Sequence, residues 1–222
     1  IEHFINEFNP DAICLTGYIT HIPVIKEYCK KAKLINKNII TIVGGVHTEK
    51  FPEDINDETI DYRVVRNAVR SFPHLIDFLN GNLPFPSGVL RSDETMNESK
   101  LPDYDFSFPA PDRTLTEKYR SRYFYVFHNK VALMKTSFGC PYHCKFCFCR
   151  IITGDRYFAR PLSEVLDELS SIKEKEIYIT DDDFLVSASR LKEFIRSLKE
   201  RNIHKRFLVY GRADFIAGNP EL

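Results

Sequence analysis

The sequence predicts an α/β protein built from parallel strands joined by helical crossovers. Three observations predict it. Short runs of buried strand residues recur, apolar residues at helical spacing lie between them, and glycines or aspartates close the strands. Alternation of this kind forms parallel sheets, because a crossover helix returns the chain to the same end of the sheet. The pattern runs over 1–79 and again over 119–222, with a proline-rich stretch at 80–118 between them.

In the first stretch, Ala12-Ile13-Cys14-Leu15-Thr16 reads as a strand. A helix follows from about Pro23, with Ile22, Ile25, Cys29 and Ala32 near one face. Proline fits a first helical turn because its missing N–H is not needed there. Ile39–Val43 reads as a second strand closed by Gly44-Gly45, and Tyr62–Val65 as a third. Phe72, Leu75, Ile76 and Leu79 follow helical spacing. Prolines 84, 86, 102, 109 and 111 then punctuate a polar run that reads as an extended linker.

In the second stretch, Ala132–Thr136 is a strand running into a cysteine loop. Pro161 opens a helix carrying Leu162, Val165, Leu166 and Leu169. Ile177–Thr180 is a strand ending at Asp181-Asp182-Asp183, and Leu191, Phe194, Ile195 and Leu198 mark the next helix. Phe207–Tyr210 is a third strand, near Gly211-Arg212. This is the start of a β/α barrel, with too few strands to close one. The first residues read as a helix interior, so the chain is expected to be part of a longer protein.

Bulk properties exclude several classes. Lys+Arg and Asp+Glu are each 31, which leaves no general attraction to nucleic acid or anionic membrane. No run approaches the roughly 20 apolar residues of a membrane span. Six cysteines are present, and Cys140, Cys144, Cys147 and Cys149 fall close together. Clustering without a secretion signal points to metal or redox chemistry in a reducing cytoplasm. Cys14 and Cys29 read as small core residues.

The loop Phe138-Gly139-Cys140-Pro141-Tyr142-His143-Cys144-Lys145-Phe146-Cys147 has the spacing C-x3-C-x2-C. Three thiolates can hold three irons of a cubane cluster and leave the fourth open. Two other readings use a fourth ligand: structural zinc, completed by Cys149 or His143, and an electron-carrying cluster completed by Cys149. Either would make a non-catalytic iron–sulfur or zinc module.

At the acidic strand end, carboxylates can pair with a bound ammonium group. Asp181 and Asp182 are the candidates, and Asp183 reads as a helix cap. Arg212 can bind a carboxylate through its fork, or pair with a nearby aspartate. In the first stretch, Thr16, Tyr18 and Thr20 follow one strand, while Gly44, Gly45 and His47 follow the next. Open α/β sheets bind ligands outside such carboxyl ends.

The cysteine loop, with Phe146 before its third cysteine, resembles the radical S-adenosylmethionine superfamily. Residues 9–79, with Pro10-Asp11-Ala12-Ile13-Cys14-Leu15-Thr16-Gly17 and Val43-Gly44-Gly45-Val46-His47, resemble the later part of a cobalamin-binding domain. In that order they resemble the cobalamin-binding radical S-adenosylmethionine enzymes. The resemblance implies a partial flavodoxin-like (Rossmann-like) domain at 1–79, a linker at 80–118, and a truncated TIM-like barrel at 119–222. It implies a [4Fe–4S] cluster on Cys140, Cys144 and Cys147, with S-adenosylmethionine on the fourth iron and adenine against the backbone at Phe146. Asp181 and Asp182 would hold the methionine amine, with Arg212 a further contact. Cobalamin would lie against Thr16, Tyr18, Thr20, Gly44, Gly45 and His47. Reductive cleavage to a 5′-deoxyadenosyl radical would serve methyl transfer to carbon or phosphorus, or a radical cyclisation. An external flavodoxin- or ferredoxin-type reductant and a small-molecule or peptide substrate are implied. Two departures stand out. The first strands of the domain are missing, and with them the stretch where a D-x-H-x-x-G motif, whose histidine binds cobalt in relatives, would lie; and Arg66-Asn67-Ala68-Val69 stands where relatives often carry Gly-Glu-Gly-Glu.

Overall fold

A computed structural model describes all 222 residues. They form two compact units, Ile1–Asp105 and Phe106–Leu222.

The first unit runs α1 (Glu2–Phe8), β1 (Ala12–Thr16), α2 (Ile22–Ile35), β2 (Ile40–Gly44), α3 (Val46–Lys50), β3 (Tyr62–Val64), α4 (Ala68–Leu79) and β4 (Val89–Arg91). Its sheet has the order β1-β2-β3-β4. The first three strands are parallel, with Leu15 opposite Val43 and Ile42 opposite Tyr62. Neighbouring residues of β2 serve opposite faces, as the two-residue strand period requires. Val43 packs with Ile25, Cys29, Ile55 and Ile60, whereas Ile42 packs with Val64, Leu75 and Val89. Burial on both faces explains why β2 is largely apolar, with its one hydroxyl, Thr41, bonded to the Thr59 carbonyl at 2.6 Å. Cys29 is a core residue, but Cys14 is exposed on β1, contrary to expectation.

Residues 80–105 are not a linker. β4 pairs antiparallel with β3, placing Val64 opposite Val89. The fully buried Arg63 anchors this segment, donating to the carbonyls of Pro52 (3.0 Å), Arg91 (2.8 Å) and Glu94. A short edge strand among prolines carries too little periodicity to be read in advance. Its position comes from pairing with β3.

The second unit begins with a 3₁₀ segment, Arg113–Arg122. A hairpin follows, β5 (Phe124–Tyr125) and β6 (His128–Asn129), then β7 (Val131–Met134) and β8 (Ser137–Phe138). The chain continues through α5 (Cys149–Ile152), β9 (Phe158–Ala159), α6 (Leu162–Ser171), β10 (Glu176–Ile179), α7 (Ala188–Glu200), β11 (Arg206–Leu208) and α8 (Ala213–Gly218). The main sheet is parallel, in the order β11-β10-β7, with Tyr178 opposite both Leu133 and Leu208. Ala132, Met134, Ile177 and Ile179 face α6 and α7 and pack on Val165, Leu166, Leu169 and Phe194. Three strands make an open sheet, not a closed barrel. Residues 106–118 also lie within this unit. The Phe106 and Phe108 rings sit 5.4 and 5.0 Å from that of Phe138, and Arg113 pairs with Glu168 at 2.7 Å.

Candidate functional site

The cysteine loop leaves the sheet at the C-terminal end of β7. Gly139 makes the turn into it. Its φ of +76° suits glycine, and a Cβ there would collide with the Arg156 carbonyl. Cys140, Cys144 and Cys147 are all partly exposed along this loop. The Cys147 N–H donates to the Cys144 carbonyl at 3.0 Å, tightening the second half of the motif. No three His, Cys, Asp or Glu side chains converge as a formed metal site. The fit to an iron–sulfur cluster therefore rests on the donor set: three accessible thiols on one loop, at the end of a parallel sheet where ligands bind. Phe146 is 92% exposed, which leaves the backbone beside it open to a ligand. His143 is exposed as well.

Cys149 starts α5, and its thiol touches those of Cys147 and the Asp182 carboxylate. Burial, reinforced by these two neighbours, pushes its pKa up to about 12.

The three aspartates after β10 divide differently from the sequence reading. Asp181 is only 2% exposed. It accepts from the Thr136 N–H (2.6 Å), the Thr136 hydroxyl (2.5 Å) and the Ser137 hydroxyl (2.7 Å). With both oxygens engaged, it braces the ends of β7 and β10 and is not available to an amine. Asp183 accepts from the Leu185 N–H at 2.9 Å, as a turn cap does. Its other oxygen is buried without a partner, and burial raises its pKa. Asp182 is the partly exposed carboxylate of the three.

Arg212, after β11, is also committed. Its Nε and Nη2 donate to the two oxygens of Asp214 at 2.9 and 2.7 Å, so its fork already holds a carboxylate. Its Nη1 lies 3.6 Å from the Cys144 sulfur, and its guanidinium sits 4.2 Å above the Tyr142 ring. Three tyrosines that the sequence reading did not single out gather on the sheet face opposite the helices. Tyr125 stacks on Tyr178 at 4.6 Å, and the Tyr125 and Tyr210 hydroxyls are 3.2 Å apart. Alternation along β10 places Tyr178 on this face, and so could have flagged it.

In the first unit, Thr16, Tyr18 and Thr20 are exposed at the C-terminal end of β1. Gly45 has φ +105°, and a Cβ there would strike the Thr16 hydroxyl. Gly44 is different: a Cβ would meet Val64 at an ordinary 3.5 Å. The strand ends thus form a cradle that one side-chain carbon at Gly45 would fill, which suits a flat ligand approaching closely. His47 does not lie on that rim. It is 9% exposed, with Nε2 2.9 Å from Asp54 and its ring beside Phe51. A helix starting at Val46 turns this side chain toward the following 3₁₀ turn, Pro52–Ile55. Arg66 is buried, bonded to Glu98 at 2.6 Å and stacked 3.9 Å over Tyr104.

Residues 1–76 match the B12 binding domain family. The chain is 26% identical over 225 residues to the hopanoid C-3 methylase of Methylococcus capsulatus, covering 98% of this chain and 43% of that protein. It superposes on the radical S-adenosylmethionine methyltransferase TsrM of Kitasatospora setae with a TM-score of 0.64 at 17% identity, over 97% of this chain and 48% of that one. Residues 1–76 thus carry the B12 binding domain match, and nearly the whole chain is similar to a methylase and to a radical S-adenosylmethionine methyltransferase. Another relative is the anaerobic magnesium-protoporphyrin IX monomethyl ester cyclase of Rubrivivax gelatinosus, 25% identical over 91% of this chain and 39% of that protein. The chain thus spans less than half the length of each. No helix in it is long and apolar enough to cross a membrane.

Proposed function

We propose that the chain carries the cofactor-holding parts of a cobalamin-dependent radical S-adenosylmethionine methyltransferase. The observation that carries this reading is the position of Cys140, Cys144 and Cys147. They share one loop at the C-terminal end of β7, in the same chain as a B12 binding domain.

On this reading the three thiolates hold a [4Fe–4S] cluster whose fourth iron is left for S-adenosylmethionine. When bound, the cluster supplies the electron that splits S-adenosylmethionine into methionine and a 5′-deoxyadenosyl radical, and cobalamin supplies the methyl group. This chain's own residues bind and orient. Gly139 turns the loop outward, the backbone at Phe146 is offered to adenine, and Asp182 is the carboxylate left for the methionine amine. Thr16, Tyr18 and Thr20 present hydroxyls to cobalamin, and Gly45 lets it approach. The electron comes from a flavodoxin- or ferredoxin-type partner. The acceptor is an unactivated carbon or a phosphorus atom of a small molecule or peptide, and likeness to the hopanoid methylase supports methyl transfer. Radical cyclisation is the second reading, favoured by the likeness to the Rubrivivax gelatinosus cyclase.

The test is anaerobic reconstitution with iron, sulfide and hydroxocobalamin, followed by dithionite and S-adenosylmethionine. Cobalamin absorbance that survives gel filtration, with 5′-deoxyadenosine formed, is expected. A loaded cluster that yields no 5′-deoxyadenosine would overturn the radical reading. Methyl-deuterated S-adenosylmethionine separates the two reactions, since only methyl transfer labels the product.

A further inference from the structure

Arg212 is held on three sides. Asp214 grips its fork at 2.7 and 2.9 Å, the Tyr142 ring lies 4.2 Å beneath its guanidinium, and Nη1 faces the Cys144 sulfur at 3.6 Å. Tyr142 and Cys144 both belong to the cysteine loop, whereas Arg212 and Asp214 follow β11. The guanidinium thus reaches the loop from a separate element, aimed at the sulfur of one candidate ligand. Cys140 and Cys147 have no such charged donor among the hydrogen bonds of this unit.

We infer that Arg212 is a positioning residue that donates a charged hydrogen bond to the Cys144 thiolate and thereby sets the reduction potential of the cluster. The inference rests on the proposal that Cys144 is a cluster ligand. The physical reason is direct. Reduction adds one negative charge to the cluster, and a positive donor on a ligand sulfur stabilises the reduced form more than the oxidised form. Asp214 works against this. Its carboxylate orients the guanidinium but offsets part of the charge felt at the sulfur. The pair therefore sets the potential between two limits, and its members pull in opposite directions.

The test is a redox titration of the anaerobically reconstituted chain, following the reduced cluster by electron paramagnetic resonance as dithionite is added through mediators. Arg212→Met is expected to make reduction about tenfold less favourable, a shift of ~59 mV to lower potential for one electron. Arg212→Lys keeps the charge and is expected to recover part of that shift. Asp214→Asn is expected to move the midpoint the other way. A merely structural role for the pair would shift both variants in the same direction or reduce cluster content alone. If Arg212→Met fails to take up the cluster, the direction of the Asp214→Asn shift decides. Midpoints within twofold of the parent in the reduction constant, or shifts of the same sign, overturn the inference. A parent chain that takes up no iron and sulfide overturns both it and the proposed function, whereas a loaded cluster with an unmoved midpoint overturns it alone.

Discussion

Thr136 grips Asp181 with both of its donors: its N–H reaches Oδ1 at 2.6 Å and its hydroxyl reaches Oδ2 at 2.5 Å. This contact joins the end of β7 to the end of β10 immediately before the cysteine loop. Asp181→Ala would leave those donors and the Ser137 hydroxyl unpaired in a buried place. It is expected to lower the unfolding free energy by about 3 kcal/mol. Asp182→Ala, one residue on and partly exposed, is expected to cost less than about 1 kcal/mol. Urea denaturation of the two variants compares them, and equal midpoints would contradict a bracing role for Asp181.

The two glycines after β2 are not equivalent. Gly45 needs its positive φ and has no room for a Cβ beside Thr16, whereas Gly44 has room. Gly45→Ala is expected to cost about 2 kcal/mol of stability through backbone strain and to weaken hydroxocobalamin retention. Gly44→Ala is expected to change neither. Equilibrium dialysis and thermal denaturation on both variants settle the contrast, and similar losses from the two would count against the cradle.

Cys149 touches Cys147 but is not expected to be a ligand. It starts α5, outside the C-x3-C-x2-C spacing, and its thiol also contacts Asp182. Serine at Cys140, Cys144 or Cys147 is expected to remove most of the iron from the reconstituted protein, and serine at Cys149 to leave it. Iron and sulfide analysis reads this directly. An equal loss from Cys149→Ser would favour the fully cysteine-ligated alternative.

Glu49 gives the first unit a pH signature. Burial raises its pKa in the folded chain; Lys50 and Arg66 partly oppose the shift, and Glu98 adds to it. A raised carboxyl pKa means that the folded state binds the proton more tightly than the unfolded state. The associated stability is therefore complete below the unfolded value and is lost as pH rises through the folded value. Glu49→Gln is expected to flatten the denaturation midpoint across the mildly acidic range, relative to the parent. A parallel pH profile in the variant would argue against burial as the cause.

The strand–helix alternation was legible because apolar periodicity is a local property. Ala12–Thr16 is a strand at the expected residues, and the helix around Pro23 starts at Ile22. β4 was not legible. Val89, Leu90 and Arg91 resemble any short run among prolines, and only β3 and the buried Arg63 make them part of a sheet. The same holds for Phe106 and Phe108, whose partner Phe138 lies beyond the reach of any local pattern.

By itself the sequence determined that the chain is α/β, that its alternation runs twice, and that three cysteines follow a strand closely enough to share one loop. Those features depend on residues a few positions apart. Only the tertiary structure decided which aspartate is spent on bracing and which sulfur the Arg212 Nη1 faces. Asp181 finds Thr136 because β7 and β10 are neighbours in register, with Ile179 opposite Met134. Arg212 finds Cys144 because β11 and β7 run parallel in one sheet, so that the segments following them leave at the same end. A charged group's role is set by what the fold brings within about 4 Å of it, and strand order fixes that neighbourhood where no spacing along the chain can.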